Sequence, residues 1–293
     1  MPLADRHPQH ARGVGMMVCA AILLSSTGPF LRHMESADAW QVQFWRSITM
    51  TAVVIAFVAW RWRGDLRGAY AALPWPAWAL GVLMGGSFAL YLLAMTLTTI
   101  ANVVFLLAIV PFLTALFAWL LHGERVRRAT AVAMVAALAG VALMIGDGVN
   151  TGHLTGIMAA LAAIALHSLY LATARRYPAV DFTPVNALAG IAGCAIGGVA
   201  ATTLAISTHD LALSLLLGAV SVGIPFILMI LATRTMPAAE VALIGLLESV
   251  LGPLWVWLLV GETPAAMSLV GGAIVLGAVV FQALAAARSA PGA

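Results

Sequence analysis

Lysine is missing altogether. All 14 basic residues are arginine, set against 11 Asp and Glu, for a formal charge of +3 over 293 residues. Without lysine there is no Gly-x-x-x-x-Gly-Lys phosphate loop, which excludes ATP hydrolysis by that route. The sequence also lacks a His-Glu-x-x-His zinc site and a Gly-x-Ser-x-Gly nucleophile elbow. Charge of either sign is scarce: charged residues make up 9% of the chain, where a soluble domain carries roughly 25%. That cannot cover a water-facing surface, so a soluble domain of any size is excluded. The two cysteines, Cys19 and Cys194, lie in apolar stretches without metal-ligand neighbours and read as buried free thiols. His7 and His10, near the N-terminus, are weak metal evidence. No cofactor, metal or nucleic-acid partner is expected.

What is there is apolar. Hydrophobic residues make up 63% of the chain, and the mean hydropathy is +1.04. Runs of about 20 apolar residues, broken by charge, Pro or Gly, predict ten transmembrane helices. They fall at 13–33, 39–60, 75–97, 100–121, 127–146, 153–174, 183–206, 211–233, 238–260 and 265–287. Helices are required because an open strand would leave its backbone unpaired in lipid. Arg6 and Arg12 before the run Val14–Leu24 look like the start of a signal peptide. No small-x-small cleavage site leads into a polar domain, so this run is read as a retained first span.

Arginine sets the orientation. Arg6, Arg12, Arg61, Arg63, Arg67, Arg125, Arg127, Arg128, Arg175, Arg176, Arg234 and Arg288 fall on one side of the ten-span arrangement. Arg32 falls on the other, and Arg46 lies within a span. This asymmetry places both termini in the cytoplasm. Trp40, Trp60, Trp62, Trp75 and Trp78 sit near span ends, where indole rings anchor at the interface.

One stretch occurs twice. Ala94–Glu124 overlays Ala232–Glu262 at constant spacing: Ala101 meets Ala239, Val103 meets Val241, Leu113 meets Leu251 and Trp119 meets Trp257. Both copies close on Gly-Glu, Gly123-Glu124 and Gly261-Glu262. Each copy is one bilayer-crossing helix. Five spans per half is odd, so the second half enters the membrane from the opposite side. The expected architecture is all-α: two inverted five-helix repeats, 13–146 and 152–287, around a central cavity. The glycine-rich link Gly146–Gly152 is read as an outer loop.

With Phe44-Trp45-Arg46 early in the second span, the two Gly-Glu endings, and Leu247-Glu248 in mid ninth span, the chain resembles the EamA-type drug/metabolite transporters. Ser249 stands where that family often has proline. Within the superfamily it is most similar to the YddG-type exporters of aromatic amino acids, through Ser25-Ser26-Thr27-Gly28-Pro29, Tyr91 and His167-Ser168-Leu169-Tyr170. The resemblance implies a cavity that opens alternately to the two sides, with the fifth and tenth spans peripheral.

A charge within a span costs about 2.5 to 3.5 kcal/mol on insertion scales, so each intramembrane charge is a candidate. Glu248 lies about ten residues into the ninth span, or ~15 Å deep. It is either a cavity carboxylate for a substrate amine or a proton, or a structural, internally bonded acid. Arg46 either binds a substrate carboxylate or locks helices through backbone carbonyls. His167 and Tyr170, three apart, share a helix face; each binds substrate or packs helices. Tyr91 and Asn102 are comparable. Phe88, Phe105, Phe226 and Trp255 form either an aromatic wall or core. Pro29, Pro111, Pro225 and Pro253 each remove a backbone donor; carbonyls freed at Pro29, beside Ser25, Ser26 and Thr27, are expected to face the cavity. Gly81-x-x-x-Gly85 and Gly193-x-x-x-Gly197 are packing motifs. Glu124 and Glu262, at span ends, read as structural.

The sequence is therefore read as a bacterial inner-membrane exporter of amino acids, aromatic and other neutral ones among them, not an enzyme. Its partners are the small-molecule substrate and the bilayer, in a monomer or homodimer. The first span carries no acid, which counts against proton-coupled export of drug cations. A sugar-conjugate carrier would need a more basic cavity. An intramembrane enzyme built on Ser168 and His167 is the non-transport alternative, disfavoured because adjacent helical residues do not face each other.

Overall fold

The computed structural model describes residues 6–124, 127–177, 179–236 and 238–288. Arg125 lies outside them, as do the side chains of Arg6, His7 and Arg288. The described residues form α-helices and one π-turn, with no strand. In chain order the helices are α1 (Arg6–Ser25), α2 (Thr27–Arg32), α3 (Ala39–Arg61), α4 (Leu66–Ala71), α5 (Trp75–Leu97), α6 (Ile100–Leu107) and α7 (Val110–His122). There follow α8 (Arg128–Thr151), α9 (Leu154–Ala174), α10 (Thr183–Ala200), α11 (Thr208–Gly218), α12 (Ile224–Ala232), α13 (Ala238–Val260) and α14 (Ala266–Arg288). Nine runs among the described residues are long and apolar enough to cross a bilayer. The pair α6–α7, bent by 43°, makes ten when counted as one span. The chain is a multi-pass membrane protein.

Local chemistry sets the ends. Asp38 starts α3 with a reciprocal cap: its carboxylate accepts from the amides of Trp40 (2.8 Å) and Gln41 (2.9 Å), while Gln41 Oε1 accepts from the Asp38 amide. The repeated Gly-Glu endings also have a backbone cause. Gly123 and Gly261 follow α7 and α13 with φ of +67° and +76°, a left-handed turn that side chains disfavour.

The exterior is apolar and the interior partly polar, the reverse of a soluble protein. Val132, Val135 and Leu138 of α8 and Met267, Leu269 and Phe281 of α14 face outward, while Gln43, Arg46, Ser87, Asn186, Asp210 and Ser221 are buried. Exposed Trp60, Trp75, Trp78, Trp119 and Trp257 sit toward helix ends. Cys19 is exposed as well, and Cys194 is half-buried. The expectation of two buried thiols is thus corrected: an apolar neighbourhood in the sequence here means lipid contact.

Both glycine motifs sit where helices touch. A Cβ on Gly85 would meet Ala189 O of α10 at 2.7 Å, and one on Gly197 would meet Phe44 N of α3 at 2.7 Å. So α10 is clasped between α5 and α3. α8 and α14 pack against each other through Gly140 and Gly271, where a Cβ on either would meet the other's carbonyl at 2.6 Å.

Two expected spans are irregular within, and two expected boundaries are corrected. The fourth span is two helices: Pro111 lacks the amide that would bond Leu107 O, and the chain bends just before it. The eighth span contains a π-turn at Ala219–Gly223, ahead of Pro225, where Ile224 N reaches Ala219 O. The seventh span stops at Ala200. Residues 201–207 are non-helical, and their carbonyls are held from α3: Gln41 Nε2 donates to Thr203 O and Ala205 O, and Trp45 Nε1 to Leu204 O. The supposed loop 146–152 is mostly helix. α8 runs to Thr151, Asp147 accepts from the Ser268 hydroxyl at 3.0 Å, and only Gly152 and His153 separate α8 from α9.

Candidate functional site

A cavity of ≈ 740 Å³ lies between α1–α2, α3, α5, α7, α9, α12 and α13. It reaches from Thr27 and Ser221 to Arg175 and Tyr177. Most of its lining is apolar, and its polar groups are few and come from different helices. Of the sequence candidates, Thr27, Arg46, Tyr91, His167, Tyr170, Phe226 and Glu248 line it.

Arg46 is buried deep in α3. Its Nε and Nη2 donate to Gln43 Oε1 at 3.0 and 2.6 Å, and Nη2 also reaches Phe88 O at 2.7 Å. The guanidinium thus locks α3 to α5, while Nη1 has no hydrogen bond among the described residues. Phe88 and Phe226, which also line the cavity, meet edge to face at 5.7 Å. Glu248, from α13, has neither a hydrogen bond nor an ion pair among the described residues. It does not pair with Arg46; Tyr91 lies within electrostatic range of both. The cavity therefore holds one cation and one carboxyl group in its depth, separately placed, with polar capacity left over.

Toward the end marked by Arg175 the wall is aromatic. His167 meets Tyr170 (6.4 Å), Tyr170 meets Phe182 (6.3 Å) and Phe182 meets Tyr177 (6.2 Å), a continuous series of ring contacts. Ser87, Thr114, Asn186 and Ser221 also line the cavity and were not singled out by sequence. Thr114 Oγ1 is buried without a partner among the described residues; a hydroxyl in an apolar run carries no signal that would pick it out.

Four candidates are elsewhere. Ser25 and Ser26 donate to Ile22 O (2.7 Å) and Leu23 O (2.5 Å), and Thr27 likewise to Leu24 O (2.9 Å). These hydroxyls occupy the carbonyls of Ile22, Leu23 and Leu24, in the turn before the Ser25 carbonyl that Pro29 frees. Ser26 also contacts the Ser221 hydroxyl at 2.7 Å, and Ser25 accepts from Trp255 Nε1 at 3.0 Å. Pro29 does not reach the cavity either; its carbonyl contacts His33 Nδ1. Asn102 sits at the start of α6, where its Nδ2 donates to Thr98 Oγ1 (3.0 Å). Of the expected aromatic wall, Phe105 and Trp255 are not lining residues, because Phe105 packs over Gly272 and Trp255 is spent on Ser25. The Ser168 hydroxyl donates to Val110 O (3.3 Å).

The far end is shut by charge. Arg32 Nε donates to Glu262 Oε2 at 2.6 Å, and its Nη1 and Nη2 reach Met95 O and Thr98 O at 3.1 Å. Glu262 Oε1 accepts the Ile100 amide at 2.9 Å. Beside it, the fully buried Asp210 accepts the amides of Glu35, Ser36 and Ala37 and the Ser36 hydroxyl, all at 2.9 Å, tying the turn after α2 to α11. At the Arg175 end, Asp181 accepts from Arg61 (2.6 Å) and from the amide and hydroxyl of Thr183. Burial pushes the Asp181 carboxyl up, but these donors outweigh it and hold it below its usual value.

The sequence model of the EamA-like transporter family matches residues 11–146 and again 154–284. The chain belongs to the EamA-like transporter family. That membership, with the apolar helices, makes it a membrane transporter of small solutes. No curated protein sequence matches it. A solved structure described only as the crystal structure of a protein is similar to it, with a TM-score of 0.67 and 22% identity over 95% of this chain and 99% of the other. At that identity the likeness speaks for the EamA-like fold alone.

Proposed function

We propose that this EamA-like protein exports neutral amino acids, aromatic ones among them, by alternating access across a bacterial inner membrane. The observation that carries the reading is the cavity's division of charge. Arg46 and Glu248 are both within it, unpaired with each other, and aromatic edges lie alongside. A zwitterion needs a carboxylate contact, an amine contact and a place for its side chain. Arg46 Nη1 serves the first, Glu248 the second, and the Phe88–Phe226 pair or the His167–Tyr170–Phe182 series the third. A cavity of ≈ 740 Å³ has room for one such solute.

Two matched segments of the same family support the division into two five-span repeats, 13–146 and 152–287. The odd span number inverts the second repeat. Arginine asymmetry supports cytoplasmic termini, which makes the cavity, extending to Arg175, inward-facing. The test is counterflow: liposomes preloaded with unlabelled phenylalanine should transiently accumulate labelled phenylalanine, and tryptophan should compete. Flux without counterflow would point to a channel and overturn alternating access.

A further inference from the structure

We infer that matching arginine–glutamate latches close the two ends of the cavity in turn: Arg32–Glu262 at one end and Arg175–Glu124 at the other. The inference rests on the alternating-access reading but not on the identity of the substrate. In this structure the first latch is shut. Glu262, just past α13, holds Arg32 at the end of α2 and the Ile100 amide at the start of α6. It thereby pins the first span and the fourth to the ninth.

The repeat supplies the second latch. The spacing that lays Ala94 on Ala232 lays Glu124 on Glu262, each following a glycine with left-handed backbone. Laid start to start, at a spacing of 143 rather than the 138 that relates Glu124 to Glu262, the two family-matched segments put Arg32 opposite Arg175. Both arginines end the first span of their segment, Arg32 as the last residue of α2 and Arg175 as the first after α9. Packing follows the same rule: α2 lies against α13, and α9 lies against α7. Yet among the described residues the side chains of Glu124 and Arg175 make no hydrogen bond or ion pair. Both are exposed, and Arg175 lines the open cavity.

One half of a symmetric pair is thus engaged and the other idle, as expected of a two-state device caught in one state. In the opposite state Glu124 holds Arg175 and the amides at the start of α13, while Glu262 and Arg32 separate.

The test needs no substrate, so a wrong substrate assignment leaves it untouched. In a C19A/C194A background, purified E124C/R175C protein is treated with a short bifunctional maleimide, with and without E262Q. The glutamine keeps an oxygen for the Ile100 amide and removes only the ion pair. Cross-linking between the introduced thiols should rise on the order of ten-fold when the far latch is weakened. R32Q should act alike, and the swapped pair R32E/E262R should return cross-linking to its starting level. Thermal unfolding identifies any variant that fails to fold, and R32Q and E262Q stand in for each other. If folded E262Q or R32Q loses stability but leaves cross-linking at the other end unchanged, the pair is only a structural tie and the inference is overturned. It is overturned equally if E124C/R175C never cross-links under any of these conditions.

Discussion

Glu248→Gln separates function from architecture at the centre of the site. The carboxyl group of Glu248 lines the cavity with no hydrogen bond or ion pair among the described residues. A carboxylate without partners in an apolar wall is a net cost of several kcal/mol when fully buried. Glu248 is only partly buried, and cavity water reduces that to about 1–2 kcal/mol. The isosteric amide removes the cost, so Glu248→Gln should raise the midpoint of thermal unfolding by about 2–4 °C per kcal/mol. Transport should move the other way. Losing one charge-assisted contact to a substrate amine costs about 1.5–3 kcal/mol, or on the order of ten- to a hundred-fold in kcat/KM. The assays are a thermal-shift measurement in detergent and labelled phenylalanine uptake into proteoliposomes. A variant that unfolds earlier yet transports normally would show that Glu248 is a structural acid and refute the reasoning.

Four other outcomes are expected. Arg46→Gln removes the bonds to Gln43 and Phe88 O as well as the anion contact, so it should lose both stability and uptake, whereas Gln43→Leu should cost stability first; thermal shift beside uptake distinguishes them. Asp210→Ala strands three backbone amides and should destabilise by about 3 kcal/mol, read as a lowered unfolding midpoint. Asp181 is held below the usual carboxylate value, so its bonds stabilise fully above the unfolded pKa near 4 and are lost as pH falls through the lowered folded value. Asp181→Asn should therefore lose less stability than the parent when pH is lowered from about 6 to about 3. Gly197→Leu would drive a side chain into Phe44 N and Trp40 O, and should cost about 1–3 kcal/mol and part α10 from α3, seen as aggregation on gel filtration.

Much of the architecture was legible because lipid imposes one rule on every span. Hydropathy located the helices, and the repeated Gly-Glu marked two helix ends whose left-handed glycines the structure explains. The misreadings have a common cause. Gly146-Asp147-Gly148 looked like a loop by composition, but Asp147 finds the Ser268 hydroxyl 121 residues away and the helix continues. Residues 201–206 looked like helix, but Gln41 and Trp45 offer their carbonyls other donors. Ser25 and Ser26 looked like site residues, yet local carbonyls and partners on α13 and the π-turn claim them. Arg46, Glu248 and His167 could be singled out as cavity-lining candidates because charge and imidazole are rare within spans. Thr114, Asn186 and Asp210 could not, because their roles depend on which helices meet.

Uptake of labelled phenylalanine, tryptophan and threonine into liposomes containing the purified protein, with and without a pH gradient, tests the proposed export most directly. The expected result is saturable uptake above protein-free liposomes, with one amino acid inhibiting another. Uptake of all three no greater than in protein-free liposomes would contradict the amino-acid reading and leave a small-solute transporter whose Arg46–Glu248 cavity serves a different cargo.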